Sequence, residues 1–280
     1  MDFYYIGIDG GGSKTCAILL DNQRNIMATV YGGPANIRLD VDMAYNSITN
    51  LVQELCQQFS LSFKQIKLGI GVAGYSVLEA RQTLLSKLTG YQEVRLESDC
   101  HIACLAAHED ADGAIVICGT GVVGYSIKRS VGRQMGGWGF PHGDLGGGAW
   151  IGLSACQMLC KAIDGAILWS PLLLTIYSKF KQNSYEYKVW LLKATVKEFA
   201  ETAKQVIKMR EEDDLANKIY TTALHEIRLF IRALYRQNNR SPLQIAGGLA
   251  AVYLPDLHDE FPTITAMTTN PAIGGIYLFT

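Results

Sequence analysis

Asp9 and the run Gly10-Gly11-Gly12-Ser13-Lys14-Thr15 that follows it have the composition of a phosphate site. Glycines admit positive φ and let backbone approach an anion closely, so successive N–H groups converge on phosphate oxygens. Ser13 and Thr15 add hydroxyl donors, and Asp9, at the mouth of the preceding strand, is a hard oxygen ligand suited to Mg²⁺ through water. A second glycine turn, Gly119-Thr120-Gly121-Val122-Val123-Gly124, carries one hydroxyl, on Thr120. Neither turn has the context of a helix-opening phosphate loop. Lys14 does not follow a glycine, and Cys16-Ala17-Ile18-Leu19-Leu20 reads as a strand. The second turn matches GxGxxG, but Tyr125 to Lys128 alternates like a strand and Gly132 is read as its end. Two β-hairpin turns, each at the head of its half of the chain, remain. They are either plain tight hairpins or a pair that clasps a nucleotide such as ATP, and their matching positions favour the clasp.

Other residues stand where chemistry gathers. Asp99 lies between a strand and a helix, at a strand's carboxyl end, where open α/β sheets collect ligands. It, or Ser98 beside it, could equally cap that helix. Gly136 to Gly148 holds seven glycines with Trp138, His142 and Asp144 among them, and is expected to be too flexible for a core and to line a ligand site. Trp138 is either a surface for a ligand ring or an anchor holding the loop. Asn36, after Pro34, is a turn-former or a contact. Gly247-Gly248 suits a backbone-lined adenine site or a tight strand-to-helix turn.

The elements that must position these residues follow from periodicity. Phe3–Ile8, Cys16–Leu20 and Ile26–Tyr31 read as an antiparallel meander. Val41, Ala44, Ile48, Leu51, Val52, Leu55 and Phe59 recur at threes and fours, which predicts a helix capped by Asp40. Ile66–Val72 and Val94–Leu96 read as strands, and Val77–Leu88 and His101–His108 as helices. The order restarts with strands at Ala114–Cys118 and Tyr125–Lys128, a helical stretch from Trp150 to Arg236, and a strand at Leu243–Ala246. A strand–glycine turn–strand unit at the head of each half predicts two related α/β domains, 1–110 and 111–280, the second with a helical insertion.

Bulk properties narrow the classes. Among 280 residues, 25 Lys and Arg nearly balance 26 Asp and Glu, so no net field draws the chain to nucleic acid or membrane. An apolar fraction of 49% with 18% charged residues excludes disorder. Met1-Asp2-Phe3-Tyr4-Tyr5 lacks the pattern of a secretory leader, and seven cysteines without a CxxC pair fit buried thiols; a cytoplasmic protein is expected. Cys100/Cys104 and Cys156/Cys160 are read as core side chains rather than metal ligands.

Taken together, the motifs resemble the N-acetylglucosamine kinases and BadF-type ATPases of the actin and hexokinase superfamily. Ile8 to Thr15 resembles the family's first phosphate motif, Gly119-Thr120-Gly121 its second, and Ala246-Gly247-Gly248-Leu249 its adenosine motif. Gly136-Gly137-Trp138-Gly139 with Gly143-Asp144-Leu145-Gly146 resembles its sugar signature. Pro34-Ala35-Asn36-Ile37 and Ala103 to His108 resemble stretches of bacterial glucosamine kinases, and Asn270 to Gly274 the closing segment. The resemblance implies two duplicated ribonuclease-H-like domains around an ATP- and sugar-binding cleft, possible homodimers, and an ATP- and Mg²⁺-dependent kinase acting on the 6-hydroxyl of N-acetylglucosamine or glucosamine. It further implies Asp99 as catalytic base, Gly10–Thr15, Gly119–Gly121 and Gly247-Gly248 at ATP, Asp9 near Mg²⁺, and Asn36, Asp99, Gly137, Trp138 and Asp144 at the sugar. Val122-Val123, Gly147 and Asn270 depart from the family's usual residues. An ATPase activator or a non-catalytic nucleotide or sugar sensor on the same fold is the alternative.

Overall fold

A computed structural model describes residues 3–238 and 241–280 of the chain; Met1 and Asp2, which enter the leader reading, lie outside the described residues. The first half runs β1 (Tyr4–Gly10), β2 (Thr15–Leu20), β3 (Ile26–Gly32), α1 (Val41–Gln58), β4 (Ile66–Val72), α2 (Leu78–Lys87), β5 (Glu93–Ser98) and α3 (Asp99–His108). The second runs β6 (Gly113–Cys118), β7 (Val122–Lys128), β8 (Val131–Gly136), α4 (Gly148–Ile163), α5 (Pro171–Ser178), α6 (Ser184–Leu191), α7 (Val196–Met209) and α8 (Asp214–Asn238). It continues through β9 (Leu243–Ala246), α9 (Ala250–Leu257), β10 (Thr265–Ala266), a 3₁₀ turn at Pro271–Ile273 and α10 (Gly274–Tyr277). The strands form two five-stranded sheets, ordered β3-β2-β1-β4-β5 and β10-β9-β6-β7-β8. This is a two-domain α/β architecture of the actin and hexokinase type.

Compactness divides the chain into two units, Met1–Ile115 with Tyr125–Arg133 and Thr268–Thr280, and Val116–Gly124 with Gln134–Met267. The division falls within β6, β7 and β8, and the chain's last segment returns to the first unit. Among the described residues, no helix is long and apolar enough to cross a membrane.

Periodicity places most elements, and three corrections have physical causes. The second hairpin turn is tighter than Gly119–Gly124, because β7 already starts at Val122. Gly132 does not end a strand; it lies inside β8, which the short polar run Val131–Gly136 did not reveal. Helix α3 starts two residues before His101, so Asp99 is in its first turn.

In the first unit, β1 and β2 pair antiparallel, as do β2 and β3, while β4 and β5 join in parallel to β1. One face buries Ile6, Ile8, Leu68 and Ile70 against Ile48, Leu51 and Leu55 of α1, whose N-cap Asp40 accepts from Met43 N–H at 2.8 Å. The other face has glycines where side chains would stand. Gly7 and Gly69 are partners in the parallel register. A Cβ on Gly7 would lie 2.0 Å from the Ala272 carbonyl oxygen, and one on Gly69 1.8 Å from that of Gly275. A Cβ on Gly71 would meet the Ile102 side chain of α3 at 2.3 Å. Backbone therefore rests on backbone, and α3 and the C-terminal segment lie almost on the sheet. Asn270 holds that segment in two ways. Its side-chain oxygen accepts from Ala272 N–H at 3.0 Å, and its side-chain amide nitrogen donates to Cys16 Sγ at 3.3 Å, a bond an aspartate could not give.

In the second unit the same device recurs between helices, since a Cβ on Gly152 of α4 would lie 1.8 Å from the Phe199 carbonyl oxygen of α7. Tyr187 and Trp190 of α6 pack beside that pair, with the Tyr187 hydroxyl donating to the Cys156 carbonyl at 2.9 Å.

Overpacking at a backbone contact leaves nothing flexible to yield. Gly69→Ala is expected to lower the unfolding free energy by about 3 kcal/mol, the upper end for such substitutions. Gly33→Ala, where the nearest atom would be the Ser47 hydroxyl at 3.4 Å, should change it by no more than about 0.5 kcal/mol. Urea unfolding of the two variants beside the parent checks both values.

Candidate functional site

Parallel β1, β4 and β5 set their carboxyl ends side by side, with Asp9 opposite Gly71 and Val72 opposite Ser98 in the registers. Asn36 joins this edge through a parallel bridge to Ala73. The first hairpin projects from the same end of β1. Gly11 N–H donates to the Lys14 carbonyl at 3.0 Å, while the Gly10 and Gly11 carbonyls accept from Ala73 and Ala35 N–H at 2.8 and 2.9 Å. Its acceptors are thus consumed by the unit itself. The N–H groups of Gly12, Ser13 and Lys14 have no partner among the described residues, and all three residues are exposed. That is the polarity an anion requires. Thr15 departs from the expectation, because its side chain is fully buried and its hydroxyl donates to the Gly33 carbonyl at 2.7 Å. It closes the hairpin's base and is not free as a hydroxyl donor.

The helix-cap alternative for Asp99 is settled locally. Ser98 is the N-cap, its hydroxyl accepting from His101 N–H at 3.1 Å. Asp99 keeps one oxygen on Cys100 N–H at 2.8 Å, and its carboxylate also accepts from the Cys100 side chain and from its own backbone N–H. Burial pushes the Asp99 carboxyl above the usual carboxylate range, against the lowering effect of those hydrogen bonds. Asp9 is pushed up to about 6, first by burial and then by the charge of Asp99, with Lys14 opposing. Two desolvated carboxylates therefore share this edge, and one lysine only partly compensates them. Asn36 forms the turn expected of it. Its side-chain oxygen accepts from Arg38 N–H at 3.0 Å in a turn, and its amide nitrogen lies 3.9 Å from where a Gly12 Cβ would stand.

The second unit builds a matching set. Gly119 N–H donates to the Gly121 carbonyl at 2.9 Å, and the Gly119 and Thr120 carbonyls accept from Gly148 and Ala149 N–H at 2.8 and 2.9 Å. The N-terminus of α4 thus caps the hairpin's acceptors, and the N–H groups of Thr120 and Gly121 are left without a partner among the described residues. A Cβ on Gly147 would stand 2.9 Å from Gly121 Cα and from the Thr120 carbonyl, so glycine lets the loop lie directly on the hairpin. Asp144 sits against the same turn. One of its carboxylate oxygens lies 2.5 Å from a Cβ placed on Gly121, and it accepts backbone hydrogen bonds from Val122 and Gly139. Burial pushes this carboxyl up as well.

Gly247, at φ +91°, crosses the end of β6, where a Cβ would meet the Cys118 carbonyl oxygen at 2.3 Å. Leu249 N–H donates to that oxygen at 2.9 Å, and Gly248 is exposed with open space around it. The strand-to-helix turn thus lies beside the second hairpin.

The glycine loop is less mobile in character than its composition implies: Gly143, Gly146, Gly147 and Gly148 are buried. Trp138 is 87% exposed, so it is no anchor, and Gly137 beside it is exposed at φ +69°. Val122 is buried, and Val123 lies 3.2 Å from a Cβ placed on Gly137, so the two valines fill space where polar residues were expected. Sequence gave no notice of Glu226 and Phe230. They lie on α8, far along the chain, yet line one cavity of about 390 Å³ with Asp144 and Trp138. No fixed spacing links a helix face to a loop that packs on it.

The family model of the BadF/BadG/BcrA/BcrD ATPases matches residues 6–260, which include both hairpins, Asp99, the glycine loop and Gly247-Gly248. The chain belongs to this ATPase family. Its relatives include the glucosamine kinase GspK of Vibrio cholerae, 29% identical over 84% of this chain and 81% of that protein. The N-acetylmuramic acid/N-acetylglucosamine kinase of Clostridium acetobutylicum is 30% identical over 92% and 89%. A crystal structure of a candidate N-acetylglucosamine kinase from Chromobacterium violaceum superposes with a TM-score of 0.92 at 27% identity, over 99% of both chains. A ROK family glucokinase from Streptomyces griseus, at 15% identity and a TM-score of 0.61 over 98% of each chain, shares the fold. ATP use follows from the family.

No group of three or more His, Cys, Asp and Glu side chains that could cage a metal occurs among the described residues. Asp9 fits a different arrangement, an ion that arrives on a nucleotide's phosphates and meets the carboxylate through water. The uncompensated charge at this edge gives a direct test. A carboxyl raised from 3.8 to about 6 binds its proton more tightly in the folded protein. Below the lower value Asp9 costs nothing; between 3.8 and about 6 the unfolded chain loses its proton before the folded one, so the penalty accrues over that window and is fully present above it. In metal- and nucleotide-free protein, Asp9→Asn should therefore match the parent near pH 4 and exceed its stability at pH 8. The expected gain is on the order of 2 kcal/mol, allowing for partial exposure. Denaturant unfolding at the two pH values measures it.

Proposed function

We propose that the chain is an ATP-dependent amino-sugar kinase that phosphorylates the 6-hydroxyl of glucosamine or N-acetylglucosamine. The observation that carries this reading is Asp99: a half-buried carboxylate at the carboxyl end of β5, relieved of helix capping by Ser98 and with a raised pKa. The names of the Vibrio and Clostridium relatives support the sugar class.

The proposed roles follow from donor and acceptor inventories. The N–H groups of Gly12, Ser13 and Lys14 in the first unit, and of Thr120 and Gly121 in the second, receive phosphate oxygens, and the Lys14 ammonium neutralises part of their charge. Gly247-Gly248 offers bare backbone to the adenosine. Mg²⁺ carried by ATP would neutralise phosphate charge, and Asp9 is the residue that would hold it, through water. Asn36, through its free amide donor, and Asp144, through its carboxylate, hold sugar hydroxyls; Trp138 and Gly137 present a ring face and backbone to the sugar. Asp99 accepts the proton of the 6-hydroxyl as that oxygen bonds to the γ-phosphorus and the bond to the β-phosphate oxygen breaks, releasing ADP. A raised carboxyl pKa suits a base that must take a proton near neutral pH.

In a coupled ADP-release assay with glucosamine, N-acetylglucosamine, N-acetylmannosamine and glucose, an amino sugar should give the highest kcat/KM. Asp99→Asn should lower kcat by about 10²–10⁴-fold while nucleotide affinity stays within a few-fold. Turnover retained in that variant removes Asp99 from the base role, and absence of turnover with every sugar removes the kinase reading.

A further inference from the structure

The cavity of about 390 Å³ in the second unit lies among the glycine loop, the end of β8 and α8. Its walls combine apolar and acidic side chains, with one histidine, His142, among them. Val122, Trp138, Leu229 and Phe230 are apolar, while Asp144 and Glu226 are acidic. Leu229 is 42% exposed at the rim, where Trp138 is more open still. Large apolar side chains left open around one cavity mark a ligand contact more than a solvated surface. The floor is set by packing: Gly136 lies at φ +70°, and a Cβ there would stand 2.7 Å from the Phe230 ring.

Asp144 already accepts backbone hydrogen bonds from Val122 and Gly139. Glu226 is half-buried and has neither hydrogen bond nor ion pair among the described residues. A half-buried carboxylate without an internal partner is left for a ligand to pair, and a cation supplies both the donor and the opposite charge. Aromatic faces beside it favour the same ligand, because a compact ammonium is drawn to the negative face of a ring. A neutral amide offers the carboxylate one N–H but leaves its charge uncompensated, and a ligand carboxylate is repelled by both acids.

We propose that this cavity is an amine-recognition subsite, in which Glu226 binds the protonated 2-amino group of free glucosamine against Trp138 and Phe230, and so determines preference for the unacylated sugar. The inference rests on the amino-sugar reading above and narrows its substrate class. It distinguishes the chain from a kinase for N-acetylated or carboxylate-bearing sugars.

The test compares the parent protein with Glu226→Gln, using glucosamine, N-acetylglucosamine and glucose in the ADP-release assay and in calorimetric titrations without nucleotide. The parent should prefer glucosamine over both other sugars in kcat/KM by about 10-fold or more, and Glu226→Gln should reduce each of those two ratios by about 10–100-fold, chiefly through KM. Ratios, unlike absolute rates, do not move when a substitution merely loosens the fold. A parent preferring N-acetylglucosamine, or ratios within twofold of the parent's in the variant, overturns the subsite while leaving the kinase reading in place. If no sugar drives ADP release, the kinase reading fails and the titrations decide. Glucosamine binding that weakens 10-fold or more in Glu226→Gln keeps the subsite, and binding that is absent or unchanged removes it.

Discussion

The first unit depends on a contact that only glycine permits. Gly7, Gly69 and Gly71 face the backbone of the C-terminal segment and the side of α3, with no room for a Cβ on any of them. Such contacts bring many atoms to van der Waals distance at once, and their rigidity follows from having no rotatable group at the interface. The consequence reaches the chemistry. Because Ile102 packs down on Gly71, the first turn of α3 is fixed against β4, and Asp99 is held at the edge where Asp9 also lies. The same face explains why residues 268–280, distant in sequence, belong to the first unit.

At that edge electrostatics works against folding. Asp9 and Asp99 are both desolvated and Asp99 raises Asp9 further, so the protein alone does not neutralise the charge it gathers. Sites that must bind a cation with a polyanion carry this kind of unfavourable balance in the free state, because the missing countercharge comes with the ligand.

The second unit reaches a similar donor arrangement by another route. Its hairpin spends its carbonyls on the N-terminus of α4, whereas the first hairpin spends them on Ala35 and Ala73. In both, consuming the acceptors leaves N–H groups outward, and this polarity distinguishes either turn from an ordinary tight hairpin. Gly147 and the valine pair make sense in the same frame. With glycine at 147 the loop lies directly on the hairpin, and with no hydroxyl on Val122 or Val123 the turn's backbone N–H groups are left as donors.

Local chemistry was readable from the chain alone. Alternating or apolar runs gave β1 to β5, threes and fours gave α1 with its Asp40 cap, and glycine with hydroxyl residues marked both hairpins, because strand pleat, helix period and turn sterics act over a few residues. Strand β8 escaped, since Val131–Gly136 is mostly exposed and has no apolar face to show. What each site residue does was decided by tertiary packing. Ser98 rather than Asp99 caps α3, the Thr15 hydroxyl turns inward to Gly33, and Trp138 stays open to solvent. Glu226 and Phe230 meet Asp144 only because α8 packs against a loop some eighty residues earlier in the chain. Sequence fixes which donors, acceptors and periods exist; which of them are consumed internally and which are left for a ligand depends on neighbours that the fold alone brings together.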